Sequence, residues 1–188
     1  DEALFPLTQA IQKCKSKREK ARLNYILGQL YQSKNRTDSS LISYKRAITP
    51  SANYDVSFNA KLNCAVLGSS ARDVRMLNKM LKDEKNADYA DQIYYALGDI
   101  AWEEQRREDA IAFYQKSIES NTTNAKQRAK AFLRLADLFF DERKYADAQT
   151  YYDSTLKKID NAHERYAMIK ARAESLSELV SHLNAIEM

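Results

Sequence analysis

Apolar side chains in this chain return every three or four positions. Val74, Leu77 and Leu81 fall on one helical face, and Tyr166, Ile169, Ala173, Leu176, Val180 and Leu183 form a longer apolar stripe. Between such segments stand short polar runs, Gln105-Arg106-Arg107-Glu108-Asp109 and Glu142-Arg143-Lys144-Tyr145 among them. Long helices joined by tight polar turns are the elements this pattern predicts.

The pattern also repeats. Tyr94-Tyr95-Ala96-Leu97-Gly98-Asp99-Ile100-Ala101 aligns with Phe132-Leu133-Arg134-Leu135-Ala136-Asp137-Leu138-Phe139. Beyond the turns, Ala110 to Tyr114 aligns with Ala148 to Tyr152, so the positions of Gly98, Ala110 and Tyr114 return 38 residues on as Ala136, Ala148 and Tyr152. Upstream, Asn24 to Tyr31 leads to Ser40 and Tyr44 at the same internal distances. A degenerate unit lies between, with helices expected over 54–67 and 71–83 and Lys61 near the place of the glycine. Ala3 and Ala10 precede Ser40 and Ala47 by 37 residues, so residues 1–14 read as the second helix of an earlier unit and the chain as an excised piece of something longer.

Composition narrows the alternatives. With Gly 3 and Pro 2 in 188 residues, the many tight turns of a sandwich, barrel or Gly-rich nucleotide fold are not provided for. No apolar run is long enough to span a membrane, and Asp1-Glu2-Ala3-Leu4 lacks the basic-then-apolar order of a signal peptide. Cys14 and Cys64 stand fifty residues apart and read as small packing side chains, and two histidines furnish no metal spacing, so no metal or cofactor is expected. No phosphate loop, nucleophile elbow or His-Glu-x-x-His element is present, and the pairs Glu103-Glu104 and Asp141-Glu142 fall at solvated helix ends, so catalysis is not expected.

The repeating unit resembles the tetratricopeptide repeat. Its large, Leu-Gly, aromatic, small, aromatic and small positions are Tyr94, Leu97, Gly98, Ala101, Ala110, Tyr114 and Ser117 in one unit, with Ala101 where the pattern wants an aromatic. They are Phe132, Leu135, Ala136, Phe139, Ala148, Tyr152 and Thr155 in the next, and Asn24, Leu27, Gly28, Tyr31, Ser40, Tyr44 and Ala47 in the first. The resemblance implies an all-α solenoid of helix-turn-helix repeats as a single domain over 1–188, with repeats at 19–50, 53–84, 90–121 and 128–160 and a C-terminal capping helix at 162–184. The alternative for that last helix is docking to a second protein or second copy; a monomer is the expected state.

In the repeat's usual geometry the first helices line an inner groove. Its candidate residues are Arg22, Tyr25, Gln29, Gln32 and Ser33, then Gln92, Tyr95, Asp99, Trp102 and Glu103, then Lys130, Leu133, Asp137, Phe140 and Asp141. A protein or peptide groove centred on Trp102 and Phe140 is expected, with the acids favouring basic partners. The competing reading has both aromatics merely packing between neighbouring first helices. Tyr25 and Gln29, or Tyr95 and Asp99, replace the Lys and Asn of the subgroup that clamps a C-terminal carboxylate, so that specialisation is not expected.

Several strings exceed what the generic repeat demands: Glu19 to Tyr31, Phe58 to Asn63, Met80 to Asn86, Asp91 to Gly98, Tyr151 to Leu156 and Leu176 to Val180. Together they resemble the repeat region of the SprE/PorW-type cell-envelope lipoproteins of Bacteroidota, from about residue 13 to 183. That resemblance implies an outer-membrane-associated, periplasm-facing scaffold of the type IX secretion system, linked in gliding members to surface motility, with other secretion components as partners. The alternative is a generic bacterial adaptor in another envelope or cytosolic complex. A basic run of Lys13, Lys15, Lys17, Arg18, Lys20 and Arg22, with only Glu19 inside it, reads either as a solvated turn or as an anionic docking patch; with no stacking platform or zinc motif beside it, nucleic acid is not an expected partner.

Overall fold

The computed structural model of the chain describes residues 3–120 and 123–187; Asp1, Glu2 and residue 121, which the repeat boundaries include, lie outside them. All regular structure among these residues is helical, in two compact units, 1–80 and 81–188, where the sequence reading takes one domain.

The first unit holds α1 (Leu4–Lys13), α2 (Lys17–Ser33), α3 (Thr37–Ala47), α4 (Tyr54–Gly68) and nearly all of α5 (Ala71–Leu81). Ser16 starts α2, its hydroxyl accepting from the Glu19 amide at 3.3 Å, the arrangement that Ser-x-x-Glu favours. Helices α2 and α3 form a hairpin, and α4 packs on α3 by burying Ala60 and Cys64 against Tyr44 and Ala47. Cys64 is a free thiol, its pKa raised chiefly by burial.

The second unit, after a 3-10 turn at Glu84–Tyr89, holds α6 (Ala90–Glu103), α7 (Arg107–Ser120), α8 (Ala125–Asp141), α9 (Tyr145–Leu156) and α10 (Tyr166–Glu187). Helix α8 begins three residues ahead of the repeat boundary read at 128, because Asn124 caps it by accepting from the Gln127 amide. Helix α10 begins four residues after the expected start at 162: the preceding residues are held in turns, with the Ala162 amide on the Asp160 carboxylate and the Tyr166 amide on the His163 carbonyl. It packs on α9 through Ile169, Ala173 and Leu176; further along the stripe Val180 is half-buried and Leu183 exposed, as is Leu179 beside it.

What holds each hairpin together is a close approach of small to large. A Cβ on Gly28 would lie 2.6 Å from the ring of Tyr44, and one on Gly98 would lie 2.6 Å from the ring of Tyr114. All three tyrosines, Tyr44, Tyr114 and Tyr152, are fully buried. In the α8–α9 hairpin the small position is Ala136, also fully buried and in the same core cluster as Tyr152. The hairpin of α2 and α3 adds the Ser40 hydroxyl, which donates to the Gly28 carbonyl at 2.8 Å.

The turns repeat as faithfully as the helices. Asn35, Gln105 and Arg143 have φ of 56°, 59° and 60°, and each is followed by an amide that reaches back to close the helix: Arg36 to Tyr31, Arg106 to Ala101 and Lys144 to Phe139, at 2.8 to 2.9 Å. Left-handed backbone at a residue with a Cβ is costly. Arg143→Gly is therefore expected to stabilise the second unit by about 0.5–1 kcal/mol, read as a higher urea midpoint by fluorescence of Trp102, the single tryptophan.

Candidate functional site

Asp99 and Asp137, the equivalent acids of successive repeats in the second unit, are engaged from within the chain. The Tyr114 hydroxyl donates to Asp99 Oδ1 at 2.7 Å, and Arg134 Nη2 donates to the same oxygen at 3.1 Å. One repeat later the Tyr152 hydroxyl donates to Asp137 Oδ1 at 2.6 Å, and Arg172 Nη1 donates to that oxygen at 3.2 Å and to the Tyr152 hydroxyl at 2.9 Å. Each arginine follows its aspartate by 35 residues. Thus Asp99 of α6 is bound by α7 and α8, and Asp137 of α8 by α9 and α10, so that one polar device ties successive hairpins. Arg165 stands 3.7 Å from the other oxygen of Asp137.

Burial sets the electrostatics of this ladder. It pushes the Asp99 carboxyl above its ordinary value, with the Arg134 charge opposing. It raises Tyr95 to about 12, helped by the Asp99 charge, and raises Tyr152 to about 12, helped by the bond to Asp137. Tyr114 is raised by the same causes, burial first and the Asp99 charge second. The phenols are therefore fixed hydrogen-bond donors at neutral pH.

Six of the residues predicted for the second unit's groove fall in three places. Trp102, Asp137 and Asp141 come together on one concavity of about 290 Å³, joined there by Arg134, Arg165 and Arg172. Phe140 is not on that wall: it lines a separate shallow depression with Tyr145, Met168 and Leu179, makes an edge contact with Tyr145, and lies under the Arg172 guanidinium 4.9 Å from its ring centre. Trp102 and Phe140, the expected centre of one groove, line neighbouring depressions that share Arg172, whose guanidinium α10 places over Phe140. Lys130 and Leu133 line a third cleft with Lys126, Lys158 and His163. Trp102 packs in the core cluster of Tyr114 and Leu138 and carries Arg107 5.8 Å from its ring centre, so it is partly covered rather than free-standing.

The remaining candidates divide simply. Glu103 is exposed, Gln92 is half-buried with its backbone N–H donating to the Asp91 carboxylate, and Tyr95 tilts against Tyr114 at 5.4 Å. In the first unit Tyr25 tilts against Tyr44 at 5.6 Å and accepts from Gln29 Nε2 at 3.4 Å, while the Tyr44 hydroxyl donates to Gln32 instead of to a ninth-position acid. Among the described residues no group of three or more His, Cys, Asp and Glu could hold a metal ion, and no helix is long and apolar enough to cross a membrane.

The arginines were not among the candidates. A signal was present: Arg134 and Arg172 stand 38 residues apart, the repeat length, but neither occupies a groove position. Their effect is electrostatic, since the charge that would favour basic partners at Asp99 and Asp137 is answered internally.

The tetratricopeptide repeat pattern matches residues 21–53 and 91–124. Over those two stretches the chain is similar to tetratricopeptide repeats. The matched segments cover most of the α2–α3 and α6–α7 hairpins, the two in which a glycine is pressed against a tyrosine ring. Tetratricopeptide repeats are protein-binding units, and the fold of this chain is the all-α arrangement of such repeats. No curated protein matches the chain.

Proposed function

We propose that this chain is a non-catalytic protein-interaction scaffold whose second unit holds a partner segment on the concavity around Trp102. The observation that carries this reading is the convergence, on one wall, of an indole with Arg134, Arg165 and Arg172 and the acids Asp137 and Asp141. An aromatic surrounded by charge of both signs suits an extended peptide, its side chain against the indole and its polar groups among the arginines and aspartates. The side chains of Arg134 and Arg172 keep 41% and 37% of their surface, enough to meet a ligand while still bound to Asp99 and Asp137.

At the level of the cell, we propose the repeat region of an envelope lipoprotein of the type IX secretion system, serving protein secretion and, in gliding organisms, motility. The support is the set of strings outside the generic repeat, Glu19 to Tyr31 and Asp91 to Gly98 foremost. Its setting would be the periplasmic side of the outer membrane and its partners other secretion components. The alternative is an adaptor in a different bacterial complex.

Both levels are tested by using the chain as bait in envelope extracts, beside a Trp102→Ala, Arg165→Glu variant checked for unchanged helicity. Secretion components retained by the parent chain and lost by the variant are the expected result. Equal retention by both removes the Trp102 wall from the function; retention of an unrelated complex supports the adaptor.

A further inference from the structure

The basic run singled out in the sequence takes no part in the groove of the second unit, yet the fold builds something from it. Lys17 and Lys20, on the first turns of α2, share a cleft of about 770 Å³ with Arg46 from the end of α3. All three are exposed, and among the described residues none makes an ion pair. Among the described residues none that lines the cleft is acidic; its apolar lining comes from Ile11, Ala21 and Pro50.

A second observation concerns hydrogen bonding. Asn24, 4% exposed, lines this cleft with its amide nitrogen donating to the Lys20 carbonyl at 2.7 Å, and its buried Oδ1 has no partner among the described residues; neither has Thr49 Oγ1, on another residue lining the same cleft. Orphaned buried polar atoms of this kind call for a donor or acceptor from elsewhere. The hairpin of α6 and α7 shows how the need is met when the chain meets it alone. At the same end, Asp91 holds the repeat position of Ala21, and its buried carboxylate receives Asn124 Nδ2 at 2.9 Å. There an amide of this chain supplies the N–H; at the first hairpin no described residue does.

We propose that this cleft of the first unit binds an acidic peptide segment of a partner protein. The segment's carboxylates meet Lys17, Lys20 and Arg46, an apolar side chain lies on Ile11, Ala21 and Pro50, and a backbone N–H meets Asn24 Oδ1, buried in this structure, once the Asn24 side chain turns toward the cleft. Phosphate alone has no apolar part to cover Ile11, Ala21 and Pro50, a concave cleft does not lie flat on a lipid surface, and among the described residues no aromatic ring lines it for a base to stack on. The site is separate from the Trp102 concavity, so either can fail without the other.

The test uses the full chain and a fluorescein-labelled peptide of glutamates around a single leucine, read by anisotropy. Saturable binding is expected, weakened about tenfold or more by Lys17→Gln, Lys20→Gln, Arg46→Gln together, a loss of favourable charge without reversal at exposed positions. Replacing the peptide's leucine with serine is expected to weaken it several-fold, and Trp102→Ala to leave it unchanged. No binding, or binding indifferent to the triple variant, overturns the proposal. So does tighter binding of a single-stranded oligonucleotide or of phosphatidylglycerol vesicles than of the peptide, which would make the patch a site for nucleic acid or membrane.

Discussion

Tyr114→Ala is expected to destabilise the second unit by about 3–5 kcal/mol, the range found when a buried ring is removed from a core. The ring is fully buried, it is the surface on which Gly98 and Tyr95 rest, and it lies in one cluster with Ala101, Ala110 and Leu135. Its hydroxyl adds a separable part. Tyr114→Phe keeps the ring but leaves Asp99 with Arg134 alone, which is expected to cost about 1–2 kcal/mol, a charge-assisted hydrogen bond in a partly open site. Urea unfolding followed through Trp102 measures both. A Phe variant as unstable as the Ala variant would mean that the polar ladder, and not the packing, holds the hairpin.

Gly98→Val is expected to cost about 3 kcal/mol, toward the upper end of overpacking effects. The new Cβ alone would approach the Tyr114 ring to 2.6 Å, and the ring cannot withdraw easily, because its hydroxyl is tied to Asp99. Gly98→Ala should do much less harm. Its added methyl strains the same contact, but alanine is favoured over glycine inside a helix by about 1 kcal/mol, which offsets part of the loss. The α8–α9 hairpin already carries Ala136 at this position. Equal stability of the parent and Gly98→Val chains would show that close approach is not what pairs α6 with α7. Gly28→Val, against Tyr44, should repeat the effect in the first unit, followed there by circular dichroism because the tryptophan lies in the second.

The legibility of the binding surfaces was uneven for a physical reason. Trp102, Asp137 and Asp141 could be grouped from repeat positions alone, since equal positions in equal hairpins point alike. Phe140 holds the same position as Trp102 and yet lies elsewhere, because the element after it is α10, whose Arg172 covers its ring. The cleft at Lys17, Lys20 and Arg46 was visible only as a charge run. Arg46 joins it from the far side of a hairpin, and Asn24, an ordinary helix residue in the sequence, becomes a buried acceptor without a donor.

By itself the sequence determined that this chain is helical and built of repeated hairpins. The spacing of small and large side chains is a local, periodic property, and only paired helices let Gly28 meet Tyr44 and Gly98 meet Tyr114. The tertiary structure alone decided which charges remain available. Asp99 and Asp137 look free along the chain, but folding brings Arg134 and Arg172 to them across 35 residues, and such a meeting depends on how one hairpin stacks on the next.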